Sequence, residues 1–176
     1  MRAFANFAGF QLAWWASVLG AARDAAWVGV AACVAFVALQ WIASPQRRVD
    51  ARLVASALLI GVLLDGALAR LGWIDYRGQD AFVPVWIVAL WAAFAMTLTH
   101  SLAWLRPGAA IALGAVCGPM AYLGAERLGA IELVASMQAT LALAIGWAIA
   151  TWVLALVARH AHGAAPAPPL VMRGSR

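Results

Sequence analysis

Charge is scarce in this sequence: 11% of its 176 residues are charged, whereas 66% are hydrophobic. A water-soluble fold of that composition has too little polar surface to cover itself, so the bilayer is the implied solvent. Lysine is missing, since all twelve basic side chains are arginine. Only two cysteines occur, Cys33 and Cys117, each in an apolar stretch with no CxxC spacing and no neighbouring histidine. That leaves a disulfide framework and a zinc site without support, so both are expected to be small core residues. No HExxH motif, paired histidine motif or nucleophile beside a base is present, which places a membrane-embedded enzyme last among the function classes. No metal or other cofactor is implied.

What is present is apolar length. Spanning takes about 20 residues, roughly 30 Å at 1.5 Å per residue, and six such segments are read at 4–22, 26–43, 53–71, 83–105, 109–128 and 133–158. The expected fold is therefore all-α: a polytopic membrane protein built as a six-transmembrane-helix bundle of three helical hairpins, with one transmembrane domain over 1–158. The rest, 159–176, is proline-rich and basic and is expected to be a disordered cytoplasmic tail near the membrane surface; His160 and His162 there are read as incidental. The first segment has some features of a signal peptide, Arg2 and "LGAA" before Arg23, but Asn6, Gln11, Trp14 and Trp15 interrupt its apolar region, so a retained helix is expected.

With those spans, Arg2, Arg47, Arg48, Arg52, Arg106, Arg159, Arg173 and Arg176 fall on one side, and Arg23, Arg70, Arg77 and Arg127 on the other. The positive-inside rule then puts both termini in the cytoplasm. Acidic residues show the reverse bias: Asp24, Asp75, Asp80, Glu126 and Glu132 lie at outer ends and Asp50 inside. The net charge of +5 thus reads as topology and contact with anionic lipid headgroups, not as a nucleic-acid surface. Trp41 and Trp104 near one boundary, and Trp27, Trp73 and Trp86 near the other, are expected to form interfacial belts.

"RLGWID" (70–75) and "RLGAIE" (127–132) share the pattern Arg-Leu-Gly-x-Ile-acid. Each letter suits a tight helical hairpin: arginine opposes the negative helix end, glycine takes a left-handed cap, and the acid suits the start of the next helix. The repeat reads as architecture.

Ionisable groups inside a span cost roughly 2.5–3.5 kcal/mol on insertion scales, so retained ones face other helices or a wet cavity. Asp65 lies about 18 Å into the third span and His100 about 7 Å from the inner end of the fourth, too far apart in height for a direct pair. Tyr122 and Gln138 fall near the height of Asp65. These four are the candidate ligand-binding or proton-relay residues, with structural hydrogen bonding as the competing reading of each. Gly118 and Pro119 lie mid-span in the fifth segment, where proline removes a backbone bond, and Gly114 with Gly118 has the GxxxG spacing of close helix contact.

The stretches "NFAGFQLAWW" (6–15), "LLDGALARLG" (63–72), "VWIVALWAAFAMTLTHSLAWL" (85–105) and "GPMAYLGAERLGA" (118–130) resemble a family of small bacterial inner-membrane proteins classed as a domain of unknown function. The resemblance implies an integral inner-membrane protein without an assigned catalytic residue, often encoded near enzymes similar to cyclopropane-fatty-acid synthases. Three functions follow in order: a non-enzymatic accessory or a binder of lipid or an apolar small molecule; a small transporter or substrate-capture subunit using Asp65, working as a homo-oligomer; and an enzyme. Membrane lipids are the expected partners and nucleic acid is not.

Overall fold

The structure, a computed structural model, describes residues 2–77 and 82–163. Among the described residues six helices follow one another: α1 (Arg2–Ala21), α2 (Ala26–Ala43), α3 (Arg47–Arg70), α4 (Val85–Leu98), α5 (Pro107–Arg127) and α6 (Ser136–Gly163). Pro45 precedes α3 and Pro107 opens α5, where a missing N–H costs nothing because the first helical amides have no partner. Sequence neighbours pack most extensively, α1 with α2, α3 with α4 and α5 with α6, while α2 also packs on α4 and α3 on α6.

The six-spanning bundle expected from hydropathy is corrected here. Among the described residues four helices are long and apolar enough to cross a membrane: Ala26–Ala43, Arg47–Arg70, Pro107–Arg127 and Ser136–Arg159. α4 has only 14 residues, a rise of about 21 Å against a hydrocarbon core of about 30 Å. α1 has the length, but Arg2, Asn6 and Gln11 dilute its apolar composition and it is not among the four. The protein is thus an all-α, multi-pass membrane protein with four apolar helices of spanning length. The segment from 164 to the end of the expected tail lies outside the described residues, as does Asp80.

The two "RLG" turns are capped alike. Gly72 (φ 66°) and Gly129 (φ 84°) take the left-handed conformation, and Trp73 and Ala130 donate backbone N–H bonds to Leu68 and Ala125, both at 3.0 Å. This is the six-to-one closure of a glycine-capped helix end. The turns also meet: Asp75 and Glu132 exchange two backbone hydrogen bonds of 2.8 Å as an isolated antiparallel bridge. α3 and α5 therefore finish at the same end of the molecule, and α4 returns the chain between them. Trp86, expected in a belt, is 2% exposed and packs edge-on against Tyr76.

The predicted continuous fourth segment stops early. Beyond Leu98 the chain turns through 99–105, and side chains from distant helices take over the freed backbone groups. Asn6 donates to the Met96 carbonyl (3.3 Å) and accepts from the Ser101 N–H (3.2 Å) and hydroxyl (2.6 Å). Thr99 donates to Asp50 (2.6 Å), and Gln46 reaches the Thr99 carbonyl at 3.5 Å. The last carbonyls of a helix have no partner within it, and these side chains supply part of what is missing.

A buried carboxylate behind an aromatic cavity

Asp65 lies on α3 with no exposed surface, and three donors from three different elements converge on it. The Tyr76 hydroxyl, from the α3–α4 connection, donates to Oδ1 at 2.6 Å. The Tyr122 hydroxyl, from α5, donates to the same oxygen at 2.5 Å. The Trp91 indole N–H, from α4, donates to Oδ2 at 2.7 Å. The chain contains two tyrosines, and both hydroxyls are directed at this carboxylate.

Local sequence explains the convergence. Gly61 is one helical turn before Asp65 and so shares its face; a side chain there would collide with the Trp91 ring, so glycine lets the indole lie against α3. The capped turn at Gly72 and the bridge at Asp75 fold the connection back and bring Tyr76 inward. Burial, and then the neighbouring Asp65 carboxylate, push the Tyr76 phenol well above its ordinary range, so it remains a donor.

Trp91 also stacks on Trp147 of α6, with ring centroids 4.4 Å apart and planes at 16°. Trp147 is seated by α5, since a side chain at Gly118 would strike its ring and one at Gly114 its carbonyl. The Trp147 indole N–H is buried and, among the described residues, has no hydrogen-bond partner of good geometry.

These rings form one wall of a cavity of about 440 Å³ between α1, α4, α5 and α6, within the range of small-molecule sites, about 300–1,000 Å³. Phe10 and Trp14 of α1, Phe94 of α4 and Tyr122 of α5 contribute further aromatic surface, and Gln11, Thr97, Ser101 and Thr151 its few polar groups. Asp65 itself does not line the cavity. It stands behind the wall and holds Trp91 and Tyr122 in place.

The four sequence candidates separate. Asp65 and Tyr122 come together. His100 belongs to the turn after α4, where its Nδ1 lies 2.9 Å from the Met96 carbonyl and 3.0 Å from the Thr99 hydroxyl; it helps to close a helix end. Gln138 is exposed near the start of α6, apart from both groups. Tyr76, Trp91, Asn6 and Asp50 were not singled out. The signal for Trp91 was Gly61 one turn from Asp65, whereas nothing local predicts that a loop tyrosine folds back. Asp50 is buried, and its Oδ2 has no hydrogen-bond partner among the described residues. Among the described residues no three His, Cys, Asp or Glu side chains form a group that could hold a metal.

A family model described as Protein of unknown function (DUF2878) matches residues 3–153. No curated protein and no solved structure matches the chain.

Proposed function

Since this chain belongs to the family described as Protein of unknown function (DUF2878), the reading proceeds from its own site, and we propose that it is a non-enzymatic inner-membrane protein that binds a lipid or other apolar small molecule. One observation carries this: a cavity of about 440 Å³, mostly aromatic and aliphatic, lies between α1, α4, α5 and α6. Apolar walls with a few polar groups are the usual composition of a small-molecule site.

The transporter reading needs Asp65 to be free for a cation or a proton. Its two oxygens already accept three hydrogen bonds and no part of it is exposed, which favours an anchoring role over a transport role. The arginines at the α2–α3 turn and before α5 support a cytoplasmic location for that end by the positive-inside rule. A role beside enzymes that modify membrane fatty acids belongs to the same proposal.

Protein purified in mild detergent and examined by native mass spectrometry is expected to carry a lipid-sized adduct. Filling the cavity with Ala121→Phe should remove the adduct while leaving the helical circular dichroism unchanged. A protein free of adduct that also fails to bind added lipid would end the proposal, as would an adduct indifferent to Ala121→Phe.

A further inference from the structure

The cavity wall is uneven in one respect that bears on the chemistry of its occupant. On α1 the lining residues are Phe7, Phe10, Gln11 and Trp14, and on α5 they include Cys117 and Met120. Trp14 closes the gap toward the end of α5, where a side chain at Gly124 would lie 3.4 Å from its ring. Farther along, Phe7 and Met120 are 49% and 63% exposed, and Gln11 and Cys117 are exposed as well. These exposed residues are also lining residues, so the cavity reaches the protein surface between α1 and α5.

Gln11 is the polar group at that opening. It lies about 14 Å along α1, and among the described residues its carboxamide has no hydrogen-bond partner. The hydroxyls nearby are committed as donors: Thr97 to the Phe94 carbonyl, Thr151 to the Trp147 carbonyl and Ser101 to Asn6. A carboxamide without a partner at the mouth of an apolar cavity is free to donate to a bound molecule that supplies an oxygen.

Resting on the binding role proposed above, we propose that the ligand is a single-chain amphiphile, an alkyl chain bearing an alcohol, acid or ester oxygen, which slides in from the bilayer between α1 and α5 and hydrogen-bonds to Gln11. The volume suits one chain; a whole two-chain phospholipid is much larger.

Two brominated quenchers of equal length test this, 12-bromododecanol and 1-bromododecane, titrated into delipidated protein with tryptophan fluorescence as readout. Trp14, Trp91 and Trp147 line the cavity, so binding there is seen directly as saturable quenching. The wild-type protein should bind the alcohol about tenfold more tightly than the alkane, the worth of one hydrogen bond. Gln11→Leu and Gln11→Ala should abolish that preference and keep alkane binding, and Gln11→Asn should restore part of it. Cys117 at the opening should react with a membrane-permeant maleimide more slowly when 12-bromododecanol is bound.

Equal affinity for the two probes in the wild type overturns the amphiphile and leaves the cavity reading intact. Absence of saturable quenching by either probe overturns both. A preference that survives Gln11→Leu and Gln11→Ala overturns the assignment of Gln11. Protection of Cys117 that tracks protein concentration instead of probe means a second copy covers the opening, which also overturns the proposal.

Discussion

Replacing Asp65 with leucine inverts the worth of the two tyrosine hydroxyls, and this reversal is the sharpest consequence of the site. In the wild type each hydroxyl donates to a buried carboxylate, at 2.6 Å from Tyr76 and 2.5 Å from Tyr122. Hydrogen bonds to charged groups are worth about 1.5–3 kcal/mol in soluble proteins, but interhelical bonds within membranes average about 0.6 and reach about 1.7, because the unfolded helices find other partners. Three donors on one carboxylate belong at the upper end of that scale, so Tyr76→Phe and Tyr122→Phe should each cost about 1–2 kcal/mol. The double variant should exceed the sum by at least about 0.5 kcal/mol, since Oδ1 then has no donor and only Trp91 remains on Oδ2. Asp65→Leu alone strands three buried donors and should cost about 3–5 kcal/mol. Once the carboxylate is gone, the hydroxyls are polar groups without partners, so Tyr122→Phe in the Asp65→Leu background should be neutral or stabilising by up to about 1 kcal/mol. Reversible unfolding by SDS from mixed lipid–detergent micelles, followed by tryptophan fluorescence, measures all six proteins. If Tyr122→Phe costs the same in both backgrounds, the hydroxyl acts through something other than Asp65 and the reasoning fails.

The Trp91–Trp147 stack predicts an exciton couplet in circular dichroism that either Trp91→Phe or Trp147→Phe removes and Trp104→Phe, at an exposed site, does not. Gly118→Ala should destabilise by about 1–2 kcal/mol despite alanine's better helix propensity, because the new methyl meets the Trp147 ring, whereas Gly108→Ala, with open space around it, should be neutral. Asn6→Ala removes three hydrogen bonds from the turn after α4 and should cost about 1–3 kcal/mol; faster hydrogen exchange at the Ser101 amide locates the loss. Tyr76 carries a pH dependence. Its phenol is raised by burial and by Asp65, so the folded state holds a proton that the unfolded state releases at about pH 10. Stability from this group is complete below that pH and declines as the pH rises above it, and Tyr76→Phe should flatten that decline in alkaline unfolding curves.

The helical class was legible because apolar length is a compositional property that local sequence carries. The second segment was read at 26–43, the bounds of α2. The fourth was read as one continuous span at 83–105, yet the helix ends at Leu98, and the reason lies 90 residues away in sequence, where Asn6 takes the Met96 carbonyl. Hydropathy along a window has no access to such a partner. The same limit hid the surroundings of Asp65. Helix rise alone put Tyr122 at its height, and the two are bonded. Tyr76 lies in a connection, where height along a helix is undefined until the Asp75–Glu132 bridge folds it inward. The "RLG" repeat was visible as two hairpin caps, but that the two turns pair with each other is a tertiary fact.

A carboxylate in an apolar segment invites a mechanistic role, and the magnitudes decide how far that invitation extends. Placing such a group in a span costs roughly 2.5–3.5 kcal/mol. Three convergent donors, even at about 1–2 kcal/mol each, offset that cost without any cargo, proton or metal. Asp65 is therefore accounted for by what it holds: it fixes Trp91 and Tyr122, two rings of the cavity wall, from behind. Gln11 is not accounted for in the same way. It is neutral and less conspicuous, but it lies at the cavity opening without a partner. On the binding role proposed above, Gln11 and not Asp65 is the polar group that meets the bound molecule.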